Sequence, residues 1–358
     1  MTTSAPISTP EKPIPTPIRP WLATPRQRAE TAAILFIAAI LDVVFVQVTP
    51  MKGKLAYVGL YVVIYTLLDY VIVRIQRGKS AGTDVAFRAM VSFAMAIALL
   101  PIISILWTVV ARGYKGLHLS LFTQDMHSAS VTDPIITNGG LSHAIIGSIL
   151  IVASALVFSV PVGLLTAIYL TEIQGRFTRP IKFLVQSMSG VPSIVAGLFI
   201  LAAVVYPLTK SFNGFEGSLA LAILMIPTIA RTAEEVLLLI PHDLRETGLA
   251  LGGTQWRTVQ QVIIPAARSG LVTAMILGIA RVAGETAPIV LLTGGGDTTN
   301  WNLFHGPMGT LPFYIWKGFA AGTDESFQRA WTGILVLLVV VLVLFALARF
   351  LGGRRTSK

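Results

Sequence analysis

Residues 246–265, ETGLALGGTQWRTVQQVIIP, form a polar island between two long apolar stretches. The island reads as a short helical run through Leu251, a break at Gly252–Gly253, and a second amphipathic run that ends in Pro265. In a chain otherwise built to be apolar, such a stretch implies a reader outside the lipid.

The chain has 358 residues, of which 54% are hydrophobic and 12% charged, with a mean hydropathy of +0.75. Those values exclude an ordinary soluble domain and place the chain among multi-span membrane proteins. The net charge of +10 sits in short clusters between apolar runs, without neighbouring aromatics for stacking, so no nucleic-acid partner is expected. There is no cysteine, which removes disulfides and thiolate metal sites. The proline-rich residues 1–30 have no apolar segment of signal-peptide type and read as a disordered cytoplasmic tail.

A spanning helix needs about 20 mostly apolar residues, and about eight stretches qualify. They are Thr31–Thr49, Leu55–Val73, Met90–Ala111, Leu141–Leu170, Phe183–Tyr206, Gly217 to about Ala230, Leu271–Leu292 and Trp331–Phe350. The fourth is long and holds Pro161, which predicts a kink or an extension beyond the bilayer. The sixth is short and holds Pro227, leaving Arg231–Ile240 as its continuation or as a separate interfacial helix. With the N-terminus inside, the basic clusters at Arg26–Arg28, Arg74–Arg88, Arg176–Lys182, Arg231–Arg268 and Arg349–Lys358 fall on the cytoplasmic side. The opposite side receives only Lys52, Lys54, Arg112, Lys115, Lys210, Lys317 and Arg329. The expected fold is therefore an all-α integral membrane protein with both termini, and the island, in the cytoplasm. The first two spans, residues 31–75, look like an addition to a self-sufficient unit at 85–351 that carries the loop 241–268; residues 352–358 form a basic tail.

No GxxxxGK[ST] phosphate loop, GxSxG elbow, HExxH or paired histidine occurs, so neither enzymatic chemistry nor a metal or cofactor site is indicated. The seventh span carries Arg281 and Glu285 at i and i+4, which a continuous helix would place on one face. Arg281 lies roughly 16 Å along a helix from Gly270, near the bilayer centre. A charge there faces a partner or a polar path. One reading is a self-neutralising ion pair; the other is a guanidinium that holds a tetrahedral anion, oriented by Glu285. Arg231 is either a helix-end cation or a second path residue. Ser189 and Ser193 flank Pro192, where hydroxyls of a broken helix can face an oxyanion, although small residues there also suit helix packing. Asp42 and Asp69 lie in the first two spans, Asp69 near Arg74, and read as packing or snorkelling contacts. Gly294–Gly295–Gly296–Asp297 reads as a turn leaving the seventh span.

The island's spacing resembles the EAA loop of ATP-binding-cassette importer permeases: E-A-A, three residues, G, nine residues, I, one residue, L-P. Glu246, Gly252 and Pro265 match in register, Val262 and Ile264 substitute conservatively, and Thr247 and Gly248 replace the two alanines. Restoring alanine at those two positions is expected to leave coupling unchanged or stronger. The runs SGVPSIVAGLF (189–199), ARTAEEVLLLIP (230–241) and ARVAGETAP (280–288) resemble the phosphate-specific importer permeases of the PstA type. The resemblance covers about Leu141 to Gly294. It implies a type I ABC importer core of six helices plus two N-terminal ones, in the cytoplasmic membrane. It further implies a PstC-type permease partner, a PstB-type ATPase dimer, a PstS-type binding protein, and inorganic phosphate as substrate. By the same resemblance Glu246, Leu249, Leu251, Gly252 and Pro265 couple to the ATPase, and Arg281, Glu285, Arg231 and Ser193 line the path. A permease for sulfate, molybdate or phosphonate, and an ion-coupled secondary transporter using the membrane carboxylates, remain as alternatives.

Overall fold

The computed structural model describes residues 25–48 and 54–352, all helix, turn and loop apart from one isolated bridge between Gly294 and Met308. The chain divides into two compact units, one ending at Ile103 and the other starting at Ser104. The first holds α1 (Pro25–Val48), α2 (Lys54–Arg77) and the start of α3 (Lys79–Gly113). α1 begins within the tail expected to run to residue 30, with Pro25 in the first turn, where its missing N–H costs nothing. The rest of the expected tail, residues 1–24, lies outside the described residues, as does most of the expected basic tail at 352–358.

Helices α1 and α2 pack against each other, with Glu30 and Arg77 paired at 3.4 Å. Asp69 is buried and pairs with Arg88 at 2.6 Å, whereas Arg74 bonds to Tyr70 instead. Most other large side chains of these helices are apolar and exposed, as lipid contact requires.

The second unit is built round α4 (Ser142–Ile168) and α7 (Gly214–Leu238). They run parallel in a register that places Ser154 against Ser218 (Oγ–Oγ 3.1 Å) and Gly163 against Ile229. α10 (Ile264–Val282) lies antiparallel on α7, with Gly270 opposite Val236 and Gly278 opposite the same Ile229. A Cβ at Gly163 or at Gly278 would stand 2.8 Å from Ile229, so this fully buried isoleucine wedges between two helices that approach through glycine. Close packing through small residues replaces the hydrophobic driving force that lipid cannot supply.

Among the described residues six helices are long and apolar enough to cross a membrane, or seven with one bent pair, where about eight were expected. The fifth and seventh of the expected spans are interrupted, and the sixth takes the first of its two expected courses. The fifth is broken: α5 (Thr178–Ser189) and α6 (Ser193–Ile200) meet at 107°, because Pro192 cannot donate into a continuing helix. The sixth is continuous through Pro227, and Arg231 belongs to α7 itself. The seventh stops at Val282 and resumes as α11 (Ala287–Leu292), with Pro288 in its first turn. α4 does extend, ending in a wide π-helical turn at Tyr169–Ile173.

One end of this unit is closed by the segments at 114–141 and 293–310 and by α12 (Leu311–Ala321). Met126 N donates to Asp297 O, Thr299 N to Asp125, and Lys317 pairs with Asp297 at 2.7 Å. Gly294 and Gly295 both have positive φ and turn the chain out of α11. Arg329, in α13 (Asp324–Gly352), is fully buried with no carboxylate partner among the described residues; it donates to the carbonyls of Asp133 (2.9 Å) and Asn138 (2.5 Å) and to Tyr314.

Candidate functional site

The polar island folds at the opposite end, after Pro241. α8 (His242–Ala250) has no buried residue, and Leu249 and Leu251 are 50% and 85% exposed. The chain turns at Gly252, whose φ of +81° favours glycine, and Thr254 caps α9 (Gln255–Thr258) by accepting from Arg257 N. A π-helical turn, Val259–Ile263, leads into α10, with Pro265 in its first turn. Glu246, Leu249, Leu251 and Gly252 thus share one exposed protrusion, while Pro265 starts the helix that returns into the membrane core.

Arg245 fixes that protrusion. Its guanidinium grips Glu172 at 2.8–3.2 Å, and donates to Leu237 O (2.8 Å) and Ile240 O (2.6 Å). One side chain therefore ties the end of α4, the C-terminal carbonyls of α7 and the base of α8 together. Gln255 Nε2 adds a bond to Glu172 O. The Glu172 hydrogen bonds raise the Arg245 pKa above its already high ordinary value, against the effect of burial. Sequence reasoning passed over this pair. Its trace was that Glu172 is the sole acidic residue between Asp133 and Glu216, placed just where an apolar run ends.

The departure at Gly248 has a structural cause. A Cβ there would stand 2.5 Å from Thr258 Cγ2, and Gly253 N donates back to Gly248 O. Thr258 is buried and its hydroxyl has no hydrogen-bond partner among the described residues. Glycine at 248 is what lets α8 fold against α9.

The predicted path residues are not gathered into one cluster. Arg281 is in the last turn of α10, but Glu285 lies in the break before α11, so the i, i+4 helical pairing fails. Neither makes an ion pair among the described residues, and Arg281 is exposed on this chain. The backbone turns through the break by Ala283 N→Ile279 O and Glu285 N→Val282 O, with open space where a Cβ at Gly284 would stand. Interrupted helix at membrane depth persists only inside protein or beside a polar cavity. Ser193 begins α6 after the other break, and the two broken segments pack together: a Cβ at Gly197 would stand 2.9 Å from Pro288 Cα. Arg231 lies on α7 at a cleft of about 230 Å³ with Lys182, Gln186 and Glu235; the adjacent Lys182–Glu234 pair measures 2.8 Å. In the α7–α10 register Arg231 is level with residues 275–276, about 8 Å along the axis from Arg281. Two guanidinium groups without an ion pair among the described residues thus stand at successive levels of the α7–α10 pair.

The family described as "Binding-protein-dependent transport system inner membrane component" matches residues 159–357. "Phosphate transport system permease protein PstA 1" of Mycobacterium tuberculosis (strain CDC 1551 / Oshkosh) is 38% identical over 263 residues, 72% of this chain and 86% of that one. The PstA protein of Mycobacterium leprae is 39% identical over 73% of this chain and 86% of its own, and that of Yersinia pestis 33% over 80% and 97%. Among solved structures, an inward-facing MetNI methionine ABC transporter chain aligns with a TM-score of 0.43 and 21% identity, over 60% of this chain and 92% of that one. With more than half its length matched by the family and relatives this similar over two thirds of it, the chain belongs to the inner membrane components of binding-protein-dependent transport systems.

Proposed function

We propose that this chain is the transmembrane permease subunit of an ATP-driven phosphate importer, supplying half of the translocation path with both termini in the cytoplasm. The carrying observation is α8, a helix without a buried residue that presents Leu249 and Leu251 from a mount fixed by Arg245. A rigid apolar protrusion suits insertion into a groove of a soluble subunit. The chain has no phosphate loop, so ATP binds to that subunit, a PstB-type dimer. Glu246, Leu249, Leu251, Gly252 and Pro265 form the coupling element. The substrate rests on the names of the relatives, each a phosphate transport permease. A PstC-type permease completes the path and a PstS-type binding protein delivers phosphate. Arg281 and then Arg231 hold the anion in turn, with Glu285 and Ser193 at the helix breaks lining its route. The unit at 85–351 carries transport, and the helices within 31–75 are additional to it.

Reconstitution of the full chain with those partners tests the reading. Labelled phosphate uptake is expected only with ATPase, ATP and binding protein, and Arg281→Ala lowers it at least about tenfold with assembly intact. Uptake without an ATPase, or competition by sulfate, molybdate or phosphonate as strong as by phosphate, would overturn it.

A further inference from the structure

At the end of the second unit opposite α8, a cleft of about 410 Å³ lies between the last turn of α3 and the first turns of α13. Close backbone approach builds it. Thr332 Oγ1 donates to Gly113 O at 3.1 Å, and a Cβ would meet Trp331 O at 2.7 Å from position 113 and Thr332 Oγ1 at 2.3 Å from position 116. Those two glycines pin the segment, and Arg112 and Lys115, their sequence neighbours, line the cleft.

Arg112 lies over the Trp331 ring at 5.1 Å from its centroid. Stacking occupies the face of the guanidinium and leaves the in-plane N–H edge for an acceptor. Neither Arg112 nor Lys115 has an ion-pair partner among the described residues. Asp324 is the one carboxylate on the lining, so the cleft is net positive. Phe319 packs on Phe327 and Trp331 with centroids 6.0 and 5.8 Å apart, giving an aromatic wall beside the charges. α3 leaves its apolar span here and α13 enters its own, so the cleft sits where the membrane boundary falls. These two cations also stand on the side of the chain that sequence topology leaves poor in Lys and Arg, which calls for a local reason.

We propose that the cleft binds a phospholipid with a net negative, phosphatidylglycerol-type headgroup. Its phosphodiester sits on Arg112 and Lys115, and its acyl chains start along the aromatic wall. Gln328 spends its amide N–H groups on Arg112 O (2.9 Å) and Thr332 Oγ1 (3.2 Å), so its Oε1 and the Asp324 carboxylate are left to accept from glycerol hydroxyls. Inorganic phosphate shares the anionic chemistry but has nothing to lay against the aromatic wall.

The full chain in mild detergent, titrated separately with phosphatidylglycerol and phosphatidylcholine and read by native mass spectrometry, tests this. Phosphatidylglycerol is expected to bind about tenfold more tightly than phosphatidylcholine, and millimolar inorganic phosphate leaves it bound. R112Q/K115Q abolishes the preference, whereas K210Q, which removes another exposed cation, preserves it. K115Q alone, which breaks no hydrogen bond or ion pair among the described residues, lowers phosphatidylglycerol affinity about fivefold. Equal retention of the two lipids, an unchanged preference in either Lys115 variant, or an equal loss in K210Q would overturn the proposal. Displacement of the lipid by inorganic phosphate would overturn it in favour of a free-anion site.

Discussion

Gly248 carries more than its size suggests. The family pattern invites alanine there, but Thr258 Cγ2 stands 2.5 Å from where the Cβ would be, which reverses the expectation that alanine is harmless at this position. Gly248→Ala is expected to loosen α8 from α9 at a cost of about 1–3 kcal/mol, visible as a lowered thermal unfolding midpoint. Thr258→Ala removes both obstructing atoms, so the double variant recovers most of the loss; a double variant no better than Gly248→Ala would refute the contact. None of this was legible in the sequence. Spacing identified the loop through Glu246, Gly252 and Pro265, but a departure from a pattern does not name the side chain that compensates for it.

At the scale of elements, the Arg245–Glu172 clamp joins the base of α8 to the ends of α4 and α7, and the proposed function makes it the link through which movement of α8 reaches the spans. The side chains are 17% and 6% exposed, so removing the cation strands a buried carboxylate, at about 3 kcal/mol or more. Arg245→Ala is expected to lower phosphate uptake more than ATP hydrolysis in the reconstituted transporter, measured side by side. Adding Glu172→Gln, which removes the stranded charge, restores stability but not coupling; restored uptake would mean that the clamp only stabilises. Arg245→Lys keeps charge but not the fork to two carbonyls and a carboxylate, and is expected to fall between. Helix existence was readable from apolar length alone, and the break at Pro192 from its proline, whereas the corner after Val282 was not. Val282 and Ala287 belong to one apolar run, and only Pro288 hinted that the helix restarts. The reading of Arg281 and Glu285 as neighbours on one helix face failed for that reason: Arg281 ends α10 and Glu285 lies beyond it, in the corner before α11.

For the whole molecule, Ile229 is the point where α4, α7 and α10 meet. Gly163→Val and Gly278→Val each push a branched side chain into space that Ile229 already fills. A loss of about 1–3 kcal/mol is expected for each. Ile229→Val is expected to recover part of either loss, measured as the fraction of chain that stays monodisperse on heating; no recovery would mean the wedge is not the obstacle. The membrane class, the island and most spans followed from hydropathy and charge placement, since lipid imposes one rule on every residue it touches. Contacts between segments distant in sequence did not, because they depend on shape. Arg329 illustrates the difference: it looked like an ordinary solvated cation and is fully buried. Its acceptors at Asp133 and Asn138, and its neighbour Tyr314, all precede it in the chain. During synthesis they emerge from the ribosome first, with water on those carbonyls until α13 arrives and the Arg329 guanidinium replaces it. A chain that stops before Arg329 would therefore leave those carbonyls to water, and the segment at 114–141 without the side chain that fastens it.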